Sequence, residues 1–115
     1  MKGIKLKILQ TIKNGSLFWK DHFLQRMFQR KITMKNVFDV LKSFEIVEEY
    51  TEDSPFPSYL IMGFSQKEPF HIVLSLNEED LELHMITVYR PAKDMWDEKY
   101  RRRIKWRNVL CANTM

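Results

Sequence analysis

Phe70-His71-Ile72-Val73-Leu74-Ser75-Leu76 decides the fold. Phe70, Ile72, Leu74 and Leu76 are apolar and alternate, so in an extended chain they share one face, while His71, Val73 and Ser75 share the other. That spacing predicts a strand with one face on a core. Working outward, three further runs have the same β-rich texture: Glu45–Thr51 and Ser58–Phe64 before it, Leu81–Tyr89 after it. Turn-forming stretches at 52–57, 65–69 and 77–80 separate the four. None of these connections is long enough for a crossover helix. The expected sheet is therefore a four-stranded antiparallel meander.

Upstream of residue 45 the period changes. Ile4, Ile8, Leu9 and Ile12 follow helical spacing, and Asn14-Gly15 is a stop signal. Ser16 to Trp19 reads as a short link with extended character, and Lys20 to Arg30 as a second helix. Thr33 offers an N-cap to a third, whose apolar side is marked by Val37, Phe38, Val40, Leu41 and Phe44. A last helix is expected from about Ala92, carrying Trp96 and a run of arginines. The predicted class is α+β: N-terminal helices packed on a four-stranded antiparallel meander sheet, with a C-terminal helix.

A chain of 115 residues holds one domain, here 1–115, with room for a proper core. Its 44% apolar and 13% aromatic content belongs to a globular chain, not a disordered one. No apolar run approaches the roughly 20 residues of a membrane span, and residues 1–7 lack a signal-peptide core, so a cytoplasmic location without membrane association is expected. The single cysteine, Cys111, excludes an internal disulfide framework and a cysteine-built zinc site. The formal net charge is +4, yet residues 99–107 alone carry six cations and no acid. Tyr100 and Trp106 interleave those cations and could stack on bases. Such a block suits RNA, DNA or an acidic partner, and Arg90, Arg101, Arg102 and Arg103 are the candidate RNA-binding cations. The plainer alternative is a solvated helix end.

His22, Arg26 and Arg30 stand at i, i+4 and i+8 of the second helix and span only about 80° of its circumference. Apolar Phe23, Leu24, Met27 and Phe28 occupy an adjacent arc. A helix built this way can present an imidazole and two guanidiniums together to a phosphate. Metal-free RNA cleavage needs a base for the 2′-hydroxyl, an acid for the leaving 5′ oxygen and cations for the developing charge. His71 and Tyr89 are candidates for the proton steps, His22 is a second acid–base candidate, and Arg26 and Arg30 would hold the phosphate. Each has a structural alternative. His22 could cap its helix or pack beside Trp19, His71 could bond a strand edge, and Tyr89 could be a half-buried core aromatic. Arg26 and Arg30 could pair with Glu45, Glu48 or Glu49. His84 reads as a plain surface residue. The acids lack the convergence of a two-metal nuclease site, so no metal is expected.

The chain resembles the small bacterial proteins of domain-of-unknown-function family 4258, which look related to RelE- and BrnT-type toxins. The matching residues run from about 15 to 103: His22 with Arg26-Met27 and Arg30-x-Ile32, then Glu45-Ile46-Val47-Glu48-x-Tyr50 and Pro55-x-Pro57-Ser58-x-Leu60. They continue through Gly63, Pro69-x-His71-x-Val73, Ile86-Thr87-Val88-Tyr89-x-Pro91, Trp96 and the closing arginines. The resemblance implies a RelE/BrnT-like fold and a toxin that cuts RNA without metal or cofactor. It also implies a small zinc-finger antitoxin as partner, and action on messenger RNA at the ribosome. Two positions depart from the pattern. Lys31 stands where glycine is usual and must take any left-handed helix end at some cost, and Phe23 replaces a small residue. The tail 104–115 falls outside the resemblance.

Three functions are therefore in competition. One is a toxin-type, metal-independent endoribonuclease. The second is a non-catalytic RNA-, DNA- or ribosome-binding protein using the same basic face. The third is a degenerate relative whose remaining role is protein interaction.

Overall fold

The computed structural model describes residues 2–92. Helix α1 (Lys2–Asn14) buries Ile8 and Thr11, and the Thr11 hydroxyl donates to the Lys7 carbonyl at 2.7 Å. The chain turns at Gly15, where a Cβ would lie 2.3 Å from the Leu81 carbonyl oxygen. Only glycine lets the backbone pass that close, and the approach has a use. The next amide, Ser16 N–H, donates to that same oxygen at 3.0 Å and starts strand β1 (Ser16–Trp19).

Helix α2 (Asp21–Arg30) buries Phe23 and Met27. It ends as the sequence requires, with Lys31 in the left-handed region at φ 56°. Ile32 N–H donates to Met27 O at 2.9 Å and Lys31 N–H to Phe28 O at 3.3 Å, the paired bonds of a Schellman-type end. The apolar arc is narrower than its composition suggests: Leu24 is 41% and Phe28 87% exposed. Phe23, the bulky replacement, is fully buried and meets Trp19 edge-on.

Thr33 caps α3 (Met34–Lys42) in a reciprocal box with Asn36. Val37, Val40 and Leu41 are buried, whereas Phe38 lies at the margin against Trp19. Phe44, expected on this helix, instead opens strand β2 (Phe44–Tyr50). The remaining strands are β3 (Ser58–Ser65), β4 (Glu68–Asn77) and β5 (Glu82–Tyr89).

These strands form one five-stranded sheet in the order β1-β5-β4-β3-β2. The four later strands are the expected antiparallel meander. The expectation of four strands, all antiparallel, is nonetheless corrected. β1 adds a fifth, running parallel to β5 with Ser16 opposite Glu82 and Trp19 opposite Met85. A parallel partner needs a long connection, and here everything from α2 to β4 supplies it. The expected C-terminal helix, Trp96, Cys111 and Arg101, Arg102 and Arg103 lie outside the described residues.

Among the described residues, helices α1, α2 and α3 pack on one sheet face, α2 along β5 and α3 along β3. Gly63 permits the second contact, since a Cβ there would lie 2.9 Å from the Ser43 carbonyl oxygen. The core between the layers includes Ile8, Phe23, Tyr59, Ile61, Phe70, Ile72, Leu74 and Met85. Fully burying each large apolar side chain contributes about 1.5–3 kcal/mol.

The opposite sheet face is organised in rows by the strand register. One row is Glu45, Met62, His71, Tyr89; the next is Glu48, Leu60, Val73, Thr87; the third is Tyr50, Ser58, Ser75, His84, Phe18. Leu60, Met62 and His71 are buried on this side as well.

Candidate functional site

β4 and β5 bring two of the candidate residues together. His71 and Tyr89 are cross-strand partners, and His71 Nδ1 lies 3.3 Å from the Tyr89 hydroxyl. Their rings meet edge-on with centroids 5.3 Å apart. In the tautomer protonated at Nε2, the tyrosine hydroxyl donates to Nδ1. The bond is long, as hydrogen bonds of unliganded sites often are. His71 is fully buried and Tyr89 half-buried, so the phenol is the more accessible member. Pro69 sits just before this pair, beyond the end of β5, where its missing N–H costs the sheet no ladder bond to that strand.

β1 pairs with β5 only as far as Met85, which leaves the carbonyls nearer Tyr89 to other donors. Arg30 takes one of them: its Nη1 donates to Val88 O at 2.8 Å. The guanidinium therefore sits one residue along the chain from Tyr89. Arg26, half-buried, donates instead to Gln29 Oε1 at 2.8 Å. His22 is exposed in the first turn of α2, about 12 Å along the axis from Arg30. The three do share an edge of α2, which packs on the sheet face opposite His71 and Tyr89, and of the three only Arg30 bonds the backbone next to Tyr89. The pairing of Arg26 or Arg30 with Glu45, Glu48 or Glu49 is not formed among the described residues. β3 and β4 stand between β2 and β5 and keep those groups apart.

Arg90 is committed to the scaffold. Its Nε donates to Glu68 at 2.6 Å, Nη1 to Arg30 O at 2.5 Å and Nη2 to Lys31 O at 3.2 Å. The same guanidinium lies over the Phe70 ring, 5.2 Å from its centroid. It satisfies carbonyls at the C-terminal end of α2, where a cation also suits the helix dipole. Sequence spacing gave no sign of this, because the partners are some sixty positions away.

A second group of polar and aromatic residues escaped the sequence reading. His84 is half-buried, with Nε2 3.2 Å from Glu82 Oε1 and its ring stacked 4.9 Å from Phe18. Phe56 lies nearly parallel to the same ring at 5.8 Å. The only hint was positional, since His84 falls in register with Ser75 on the His71 face of the sheet. Among the described residues, no cluster of three or more His, Cys, Asp or Glu side chains could hold a metal ion. No helix of the described residues is long and apolar enough to cross a membrane.

The family model described as domain of unknown function (DUF4258) matches residues 19–90. The chain belongs to that family, and the match runs from the end of β1 through Tyr89 and Arg90. Neither a curated protein nor a solved structure matches it significantly.

Proposed function

We propose that this protein is a toxin-type, metal-independent endoribonuclease acting on messenger RNA. The observation that carries the reading is the contact between His71 and Tyr89, with the Arg30 guanidinium anchored one residue from the tyrosine. In this reading Tyr89 faces the RNA and His71 works behind it. The phenolic oxygen accepts the proton of the 2′-hydroxyl while passing its own to Nδ1. The 2′ oxygen attacks phosphorus, the bond to the 5′ oxygen breaks, and the relayed proton returns to that oxygen. The products are a 2′,3′-cyclic phosphate and a 5′-hydroxyl, so protons and bonds balance. Arg30 offsets the charge that grows on the phosphoryl oxygens. Ribosome-bound messenger RNA as substrate, and a small zinc-finger antitoxin as inhibitor, are parts of the proposal that rest on the toxin resemblance.

One observation favours the competing class. A fully buried imidazole suits a non-catalytic RNA-, DNA- or ribosome-binding protein, in which His71 only fixes Tyr89. Mapping new RNA 5′ ends after induction in a bacterial host separates the two. The ribonuclease gives discrete new ends that vanish in Tyr89→Phe and His71→Gln. Binding without new ends in the wild type sinks the catalytic reading.

A further inference from the structure

A cavity of about 260 Å³ opens on the sheet face that carries His71 and Tyr89, at the row of Ser58, Ser75 and His84. Lys20, Phe56 and Ile86 complete the part that matters here. Its volume lies just below the usual range of ligand sites, the size of one flat heterocycle with a substituent, not of a peptide or lipid chain. The aromatic wall is preset. His84 is held by Glu82 on one side and stacked on Phe18, and Phe56 comes from the loop after β2 with its plane 17° from that of the imidazole. That loop is itself fixed at both ends, by Asp53 N–H to Tyr50 O and by Leu76 N–H to Pro57 O. A surface already ordered before the ligand arrives keeps more of its stacking energy as affinity.

The polar groups are of the kinds that read a base. Ser58 and Ser75 are cross-strand neighbours, and each hydroxyl can donate or accept. Asp53 adds an acceptor and Lys20 a cation to the lining. Stacking on aromatic side chains with hydrogen bonds to the base edge is how single-stranded RNA is recognised. We propose that the Phe56–His84 cavity is a nucleobase subsite, taking one unstacked base of a single-stranded RNA whose adjoining phosphate meets Lys20. The assignment rests on RNA being the ligand of this face, and it deepens that reading. Ser75 is four residues from His71 on the same face of β4, about 13 Å away. Because Phe18 and Phe56 already stack on the His84 ring, a strand crossing the sheet seats its base against Phe56, while a nearby phosphate reaches Tyr89.

The test is direct and needs no cleavage. Adenosine, guanosine, cytidine and uridine 5′-monophosphates are titrated into the full chain while amide and imidazole resonances are followed, with ribose 5-phosphate as control. At least one nucleotide shifts the His84, Ser75 and Phe56 signals, ribose 5-phosphate does not, and Phe56→Ala weakens binding by about tenfold or more. Lys20→Ala weakens the nucleotide but not the nucleoside. The proposal is overturned if no nucleotide moves these signals, if ribose 5-phosphate moves them equally, or if Phe56→Ala binds as wild type with its fold intact. Cleavage persisting without nucleotide binding here removes the subsite alone. Nucleotide binding in a chain that cuts no RNA removes the ribonuclease reading and leaves the subsite.

Discussion

Arg30 and Arg90 clasp α2 to the end of β5 reciprocally. The Arg30 guanidinium donates to the carbonyl of Val88, and the Arg90 guanidinium donates to the carbonyl of Arg30 itself. Each cation bonds a backbone carbonyl across the contact. The clasp holds the strand end that carries Tyr89, so local rigidity and the candidate chemistry share a support.

Removing Arg90 should therefore act on the fold before it acts on RNA. Hydrogen bonds involving a charged group contribute about 1.5–3 kcal/mol, less where water can replace them. Arg90 is partly exposed, so Arg90→Ala is expected to cost about 1–2 kcal/mol in urea unfolding. Loss of RNA affinity at full stability would show that the side chain contacts RNA instead.

Tyr89→Phe removes one oxygen and leaves the packing. With Tyr89 carrying the proton, turnover falls about 10²-fold or more while RNA affinity stays near wild type, and stability drops by about 1–3 kcal/mol because buried His71 Nδ1 loses the tyrosine hydroxyl. Unchanged cleavage by purified Tyr89→Phe would remove the phenol from the mechanism.

Lys31 occupies a left-handed position at φ 56° that its side chain disfavours. Its N–H and that of Ile32 already make the bonds a glycine would make there. Lys31→Gly should raise stability by about 0.5–1 kcal/mol, read as a higher urea midpoint with unchanged slope. A lower midpoint would mean that the lysine side chain contributes more than the backbone strain costs.

Asp39 gives the pH prediction. Hydrogen bonds from the Ser65 hydroxyl and then the Lys35 ammonium hold its carboxyl below the ordinary 3.8 against desolvation by burial, with lesser help from the Lys35 and Lys42 charges. A depressed acid stabilises the fold above its unfolded value, and the contribution is lost as pH falls through the folded one. Asp39→Asn should thus be less stable than wild type at neutral pH, with the gap closing well below pH 3.8. A gap that persists in acid would point to packing rather than charge.

The parts legible in the sequence were those written locally. Phe70, Ile72, Leu74 and Leu76 announced β4 and its core face, and Thr33 announced α3. Lys31 was expected at a left-handed helix end and is found there. What pairs at a distance was not legible. Four residues, Ser16–Trp19, carry too little pattern to reveal a strand whose partner lies beyond three other strands. The His71 face was readable from alternation, but not its burial, because burial depends on what lies over the sheet. Likewise Leu24 and Phe28 looked like core on composition, yet α2 touches the sheet through a narrower stripe at Phe23 and Met27. His84 was set aside because its aromatic neighbours arrive from β1 and from the loop before β3.

The parallel pairing of β1 with β5 also sets an order in time. Residues 16–19 leave the ribosome well before Glu82 to Met85, the positions they pair with. Until then the first helix and strand have no sheet to join, and the turn at Gly15 has no Leu81 carbonyl to hold it. Such distant closure slows folding relative to a chain of local contacts. α1 and β1 therefore settle only after β5 has been made.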